Sequence, residues 1–289
     1  MQTTEVCPAP LLALSALKGR LQFNLFDPGK PMLFLLKIVV TPVLVALVSI
    51  AARRWGPTFA GLIIGIPWMT GPVLFFLGLE YGETFVARTA TGALVGAIAI
   101  AFSLLAFAHS AKRASWPWAL LAVFAAYGVA GYVLDGLRMS ATTAAIVAVA
   151  SLIGANLLMP RPDVLSAPPV LPWWDIPMRM IATAVLVTII MLIAEIFPPE
   201  LVGTVSSFPV IVTVVSMFTH ARWGWPPAVQ LVRGVALSLL SFVAFFLVLG
   251  ATIEDVGLVR SFTVSALSAL AVSTGLLMFN RARAKSKSP

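Results

Sequence analysis

The sequence predicts an all-α integral membrane protein of about nine transmembrane helices, built as two inverted four-helix repeats joined by one linker helix. Three observations carry that expectation: the composition, a membrane-length stretch broken at its middle by prolines, and a second copy of that stretch 142 residues further on. Of the 289 residues, 60% are apolar and 10% charged, and the mean hydropathy is positive. No polar segment is long enough to form a soluble domain.

The broken stretch is GPTFAGLIIGIPWMTGPVLFFLGLEYG, from Gly56 to Gly82. It is long enough to span a bilayer, yet Pro67 and the Gly71-Pro72 pair fall near its centre. Each proline removes a backbone donor and clashes with the preceding turn, so one uninterrupted helix is excluded. Backbone groups freed at mid-membrane must be satisfied by neighbouring helices, hydroxyls or a water-lined cavity. Discontinuous helices of this kind are where secondary transporters commonly bind substrate.

Sliding the chain on itself by 142 positions superposes Pro57 on Pro199, Gly61 on Gly203, Pro67 on Pro209, Phe76 on Phe218, Gly82 on Gly224 and Gly92 on Gly234. Apolar matches between membrane segments arise easily. Matched glycines and prolines report backbone shape and do not. The chain accordingly divides into an N-terminal extension (1–31), a first repeat holding helices one to four (32–138), a linker helix and Pro-rich loop (139–174), a second repeat holding helices six to nine (175–280), and a basic tail (281–289).

Taken in order, apolar runs near the ~20 residues a bilayer requires occur at 32–52, 57–79, 84–108, 116–134, 140–159, 177–196, 199–219, 227–250 and 258–279. In the extension, Lys18 and Arg20 interrupt the run a signal peptide would need; the segment reads as a surface helix or a dispensable arm. Trp173 and Trp174, in the Pro-rich connection, suit a membrane interface.

Charge sets the expected orientation. The tail carries Arg281, Arg283, Lys285 and Lys287 without an acid, which predicts a cytoplasmic C-terminus and, after nine spans, an external N-terminus. Arg53/Arg54, Lys112/Arg113, Arg161/Arg179 and Arg222 then share the cytoplasmic side, opposite Glu80/Glu83, Asp135/Arg138, Glu195/Glu200 and Glu254/Asp255. The 142-residue shift reverses the sign of each aligned pair: Arg53 meets Glu195, Glu80 meets Arg222, Lys112 meets Glu254. Two copies separated by one extra helix insert in opposite senses, and the reversal is what holds each that way.

The run GLIIGIPWMTGPVLFFLGLEYG, with its Gly-x-x-x-Gly-x-Pro break, resembles the small GlpM-type bacterial inner-membrane proteins, here as two fused inverted copies. The resemblance covers mainly residues 57–92 and more faintly 199–234, where Ser207 and Thr213 replace Gly65 and Gly71. It implies a multi-pass protein of the bacterial inner membrane and brings no activity with it. The layout alone is similar to that of fused fluoride exporters, whose own sequence signature is missing.

Candidate binding residues cluster at the breaks: Gly65, Pro67, Trp68, Thr70 and Gly71 in the first copy, Ser206, Ser207, Pro209 and Thr213 in the second, with Arg88 on the following helix to attract an anion. The competing reading is that Gly61 and Gly65 merely permit close helix packing and that Arg88 and Arg233 snorkel to the interface. His109 and His220 read as solvated residues at helix ends, and no acid is clearly buried in a helix centre. H-E-x-x-H, P-loop and nucleophile–His arrangements are all missing, so the expectation is no enzyme, no cofactor and no metal site. The excess of 19 Lys+Arg over 11 Asp+Glu is scattered between apolar runs, which excludes a nucleic-acid surface. The expected partners are the bilayer and a small-molecule or ion substrate, with monomer and homodimer both open. The function expected is a transporter or channel for a small polar or anionic solute; a noncatalytic scaffold or assembly factor is the alternative, and a lipid flippase a further one.

Overall fold

A computed structural model describes residues 30–56, 64, 67, 70–137, 139–162, 172–196 and 208–285. Among the described residues the regular elements are helices: α1 (Lys30–Trp55), α2 (Thr70–Tyr81), α3 (Glu83–Arg113), α4 (Trp116–Asp135), α5 (Ala141–Leu158), α6 (Asp175–Ile196), α7 (Val210–Trp223), α8 (Trp225–Val256) and α9 (Leu258–Lys285). Of these, α3, α4, α5, α8 and α9 are long and apolar enough to cross a membrane. This is the architecture of a multi-pass membrane protein. Apart from the start of α1, the N-terminal extension lies outside the described residues.

α2 and α7 are half-length. Their 12 and 14 residues rise about 18 and 21 Å, short of the ~30 Å hydrocarbon core. Each starts just after a proline whose carbonyl accepts the first helical hydrogen bond, Gly71 N–H to Pro67 O at 3.1 Å and Thr213 N–H to Pro209 O at 3.0 Å. The break in the first stretch thus falls at Pro67. Pro72, expected to share in it, sits in the first turn of α2, where its missing N–H leaves no bond unmade.

Each half-helix closes on a single glycine. Gly82 and Gly224 donate back to Gly78 O and His220 O, both at 3.0 Å, and adopt φ of 82° and 81°, a region that only glycine enters freely. One residue thereby turns the chain into α3 or α8. These two helices run past the expected limits at 108 and 250, because hydropathy measures the apolar stretch and not the hydrogen-bonded one: Lys112, Arg113, Glu254 and Asp255 are the last turns of helices, not loop residues. The end of α2 and the starts of α3 and α4 lie 142 residues before the corresponding points of α7, α8 and α9.

α3 and α8 pack along each other at the centre. α3 buries Ala90, Leu94, Ala97, Ala101, Leu104 and Ala108, a mostly small stripe, and α8 buries the larger Val232, Leu239, Phe246, Leu249 and Ile253. Lipid offers helices no hydrophobic drive to associate, so close packing of this kind supplies much of the cohesion. At Gly250 a Cβ would lie 3.5 Å from that of Ala90. α4 flanks α3, α9 flanks α8, and α5 lies against both central helices; α1 pairs with α6, α7 packs on α1, α4, α6 and α8, and α2 packs on α3 and α9.

Cross-helix contacts sort the charges by end. Arg53 and Arg222 meet Asp175, and Lys112 lies over the Trp225 ring, which places the C-termini of α1, α3 and α7 with the N-termini of α6 and α8 at one, basic, end. Gly257 lies beside Glu83 and Gly78 beside Leu258, so the N-terminus of α3 and the junction of α8 with α9, carrying Glu254 and Asp255, form the other.

Candidate functional site

The basic end holds a carboxylate that does not stand out along the chain. Asp175 opens α6 and its side chain is 0% exposed. One of its oxygens, Oδ2, accepts from Arg53 Nη2 at 2.8 Å and from Arg179 Nε at 2.9 Å. The Nε of Arg222 stands 4.0 Å from the other oxygen, beyond hydrogen-bond reach. Oδ1 has no hydrogen-bond partner among the described residues, and neither does Arg53 Nε.

Each arginine is held by a different means. Arg179 follows Asp175 by one helical turn; it is buried and lies 5.2 Å from the centre of the Phe218 ring. Arg222, in the last turn of α7, lies over the Trp174 indole at 4.5 Å, and Arg53 arrives from the last turn of α1. Stacking fixes a guanidinium plane without consuming its N–H groups. The side chains of Arg53 and Arg222 are 30% and 36% exposed, so the cluster opens outward through these two. Three guanidiniums facing one carboxylate leave an excess of positive charge that no described acid offsets.

The residues expected at the breaks fall into separate places. Gly65, Trp68, Ser206 and Ser207 lie outside the described residues. Thr70 is exposed at the start of α2, whereas Pro67 and Gly71 are buried, with Phe245 Cζ 3.5 Å from where a Gly71 Cβ would stand. Pro209 and Thr213 line a cavity of about 10 Å³ with Ser103, Phe107, Val123 and Ser216, room for one water molecule at most. The Thr213 hydroxyl bonds back to Pro209 O at 2.9 Å. α2 and α7 share no packed face among the described residues.

Arg88 is exposed on the N-terminal part of α3, at the end opposite the Asp175 cluster, and it makes no ion pair with any side chain the structure describes. Glu80, a nearby acid in the sequence, has a side chain outside that description. Arg233 neither snorkels nor faces a path. It caps the C-terminus of α5, giving Nη1 to Asn156 O at 2.8 Å and Met159 O at 3.0 Å, and Nη2 to Asn156 Oδ1 at 3.1 Å. His109 is exposed as expected, but His220 is half-buried, edge-on to Phe107 with centroids 6.0 Å apart. Among the described residues no group of three or more His, Cys, Asp or Glu is placed to hold a metal.

A wide groove of about 940 Å³ runs between α3, α4 and α5, lined by residues such as Phe102, Leu105, Ala126, Val129 and Val147, with His109 at its edge. Its wall is almost wholly apolar. No family model, no curated protein and no solved structure matches the chain.

The Asp175 cluster is hidden in the sequence because each of its arginines also serves as a topology signal. A trace of it is present nonetheless: the charge rule assigns Arg53, Arg179 and Arg222 to one side, and Asp175 stands one turn before Arg179 at the head of a helix.

Proposed function

We propose that the protein is a multi-pass carrier or channel of the bacterial inner membrane that moves a small polar or anionic solute between two inverted four-helix units. The observation that carries this reading is the pair of half-helices. α2 and α7 each begin after a proline at the 142-residue offset, start at mid-length of the central α3–α8 pair, and run to opposite ends. Their N-termini direct the positive end of the helix dipole inward, the arrangement that suits an anionic group. The helix adjacencies support the inverted pairing: exchanging α1 with α6, α2 with α7, α3 with α8 and α4 with α9 maps most packed pairs onto other packed pairs. A cytoplasmic C-terminus, as the basic tail suggests, would set the arginine-rich end in the cytoplasm and the N-terminus outside.

A noncatalytic scaffold is the second reading, and one observation favours it: the cavity beside Pro209 is only about 10 Å³. A flippase gains less support. The sideways groove suits an acyl chain, yet its apolar wall offers a headgroup no polar track.

The test is uptake by sealed liposomes carrying the purified protein, presented with a mixture of small metabolites and analysed without preselection, together with reporter fusions after Lys112 and after Glu254. Carrier function predicts protein-dependent accumulation of at least one anionic or polar solute and reporters on opposite sides. No accumulation above empty liposomes returns the protein to the scaffold reading, and reporters on one side remove the inverted topology.

A further inference from the structure

We infer that Arg53, Arg179 and Arg222 form a binding site for a phosphate-type oxyanion, with Asp175 as a built-in occupant that holds the arginines in place while leaving their binding capacity unfilled. This deepens the carrier reading by naming a ligand class, and it rests on that reading only for the idea that the bound group is cargo.

The donors at the cluster outnumber their uses. A guanidinium carries five N–H groups in a planar fork suited to paired oxygens. Arg53 and Arg179 spend one contact each on Asp175, and both go to the same oxygen, Oδ2. Arg222 completes none, since its Nε stands 4.0 Å from Oδ1. Among the described residues the Arg53 Nε–H is a buried donor without a partner.

Charge points the same way. Among the described residues one carboxylate faces three cations, and like charges held together repel more strongly where water is excluded. A tetrahedral oxyanion entering between Arg53 and Arg222 would supply the missing charge, and its several oxygens could engage both forks at once. The exposure pattern leaves the route open, for Arg179 and Asp175 form the buried floor while Arg53 and Arg222 are partly exposed at the rim. Trp174 beneath Arg222 holds that rim fork in one plane, which lowers the ordering cost of binding.

A phosphate group could come from a soluble solute or from an anionic lipid headgroup, because the cluster stands at the basic end, where an anionic leaflet would lie. The chemistry is shared, and the experiment separates the sources. The purified full chain is placed in phosphatidylcholine nanodiscs and its thermal unfolding followed while inorganic phosphate is titrated at constant ionic strength, with chloride as the control. A parallel sample replaces part of the lipid with phosphatidylglycerol and omits phosphate. A midpoint that rises with phosphate and not chloride identifies a soluble oxyanion; one that rises only with phosphatidylglycerol identifies a lipid headgroup.

In either case Arg222→Gln, the least buried member, should raise the concentration needed for half the shift by at least tenfold. Arg53→Gln serves as the second variant should the first unfold without ligand. A wild-type midpoint that moves with neither source, or a shift retained undiminished in the folded variants, overturns the site. Phosphate binding without vesicle uptake would leave the site standing and refute the carrier, whereas uptake of a solute with no Arg222-dependent binding would do the reverse.

Discussion

Arg233 donates three hydrogen bonds to the end of α5, and its removal should be felt across the whole bundle. Replacing it with alanine removes the bonds to Asn156 O, Met159 O and Asn156 Oδ1 and leaves Asn156, 9% exposed, and Met159, 2% exposed, with acceptors that water reaches poorly. A hydrogen bond to a charged group contributes about 1.5–3 kcal/mol. Three such terms overlap, because Arg233 is half-buried and the carbonyls at the end of α5 regain some water, so a net loss of about 3–4 kcal/mol is expected, on the order of 10²–10³-fold in the unfolding equilibrium. The cation also lies at a helix C-terminus, where it opposes the negative end of the dipole. Reversible unfolding in mixed detergent micelles, followed by helicity, measures the change. Arg233→Lys should recover less than half, since one ammonium cannot reproduce a fork that reaches both Asn156 and Met159. Arg88→Ala, exposed and without a described partner, should stay within about 0.5 kcal/mol of wild type. An Arg233→Ala protein as stable as wild type would refute the capping argument.

Two further outcomes follow from backbone and packing, both readable in the same unfolding assay. Gly82→Ala and Gly224→Ala should each cost about 1–3 kcal/mol, since both positions combine φ near +80° with ψ near 180°, a region open essentially to glycine alone. A methyl group at Gly82 would meet only open space, so a neutral Gly82→Ala would contradict the turn assignment. Gly78→Ala should cost about 1–3 kcal/mol by overpacking, because its Cβ would stand 2.6 Å from Leu258 Cδ1 and 2.8 Å from Val86 Cγ2. Leu258→Ala in the same chain should recover part of that loss, and no recovery would place the strain elsewhere.

The sequence reveals what depends on single backbone positions. Pro67, Pro209, Gly82 and Gly224 each act through their own φ or their own missing N–H, so their places in the fold are legible one residue at a time. Helix length is less so, because Lys112 and Glu254 continue hydrogen bonding beyond the apolar run that marks a span. The arginine cluster is invisible for a different reason. It joins the end of α1, the start of α6 and the end of α7, and nothing local to Arg53 says that Asp175, more than a hundred positions away, lies 2.8 Å from it. His220 misleads in the same way: polar and near a helix end, it is covered by Phe107 of a helix distant in sequence.

The two breaks, alike in backbone, differ in chemistry, and the difference has a direction. The 142-residue offset sets Ser103 against Phe245 and Gly71 against Thr213. Around Pro67 the Phe245 ring closes on Gly71 and joins Phe262, which in turn meets Phe75 at 5.2 Å. That side is filled with aromatic rings. Around Pro209 the hydroxyls of Ser103, Thr213 and Ser216 border a small cavity, so polar groups occupy the place of the rings. The helix that starts at this cavity is α7, and the same helix carries Arg222 in its last turn. A rise of about 1.5 Å per residue puts Arg222 about 14 Å from Thr213 at the cavity along one helix. α7 therefore links the polar break to the basic end of the bundle, while α2 links the aromatic-filled break to the opposite end. An oxyanion bound at Arg222 would therefore act on the polar break through the helix the two share, whereas α2 ends beside the acidic Glu83.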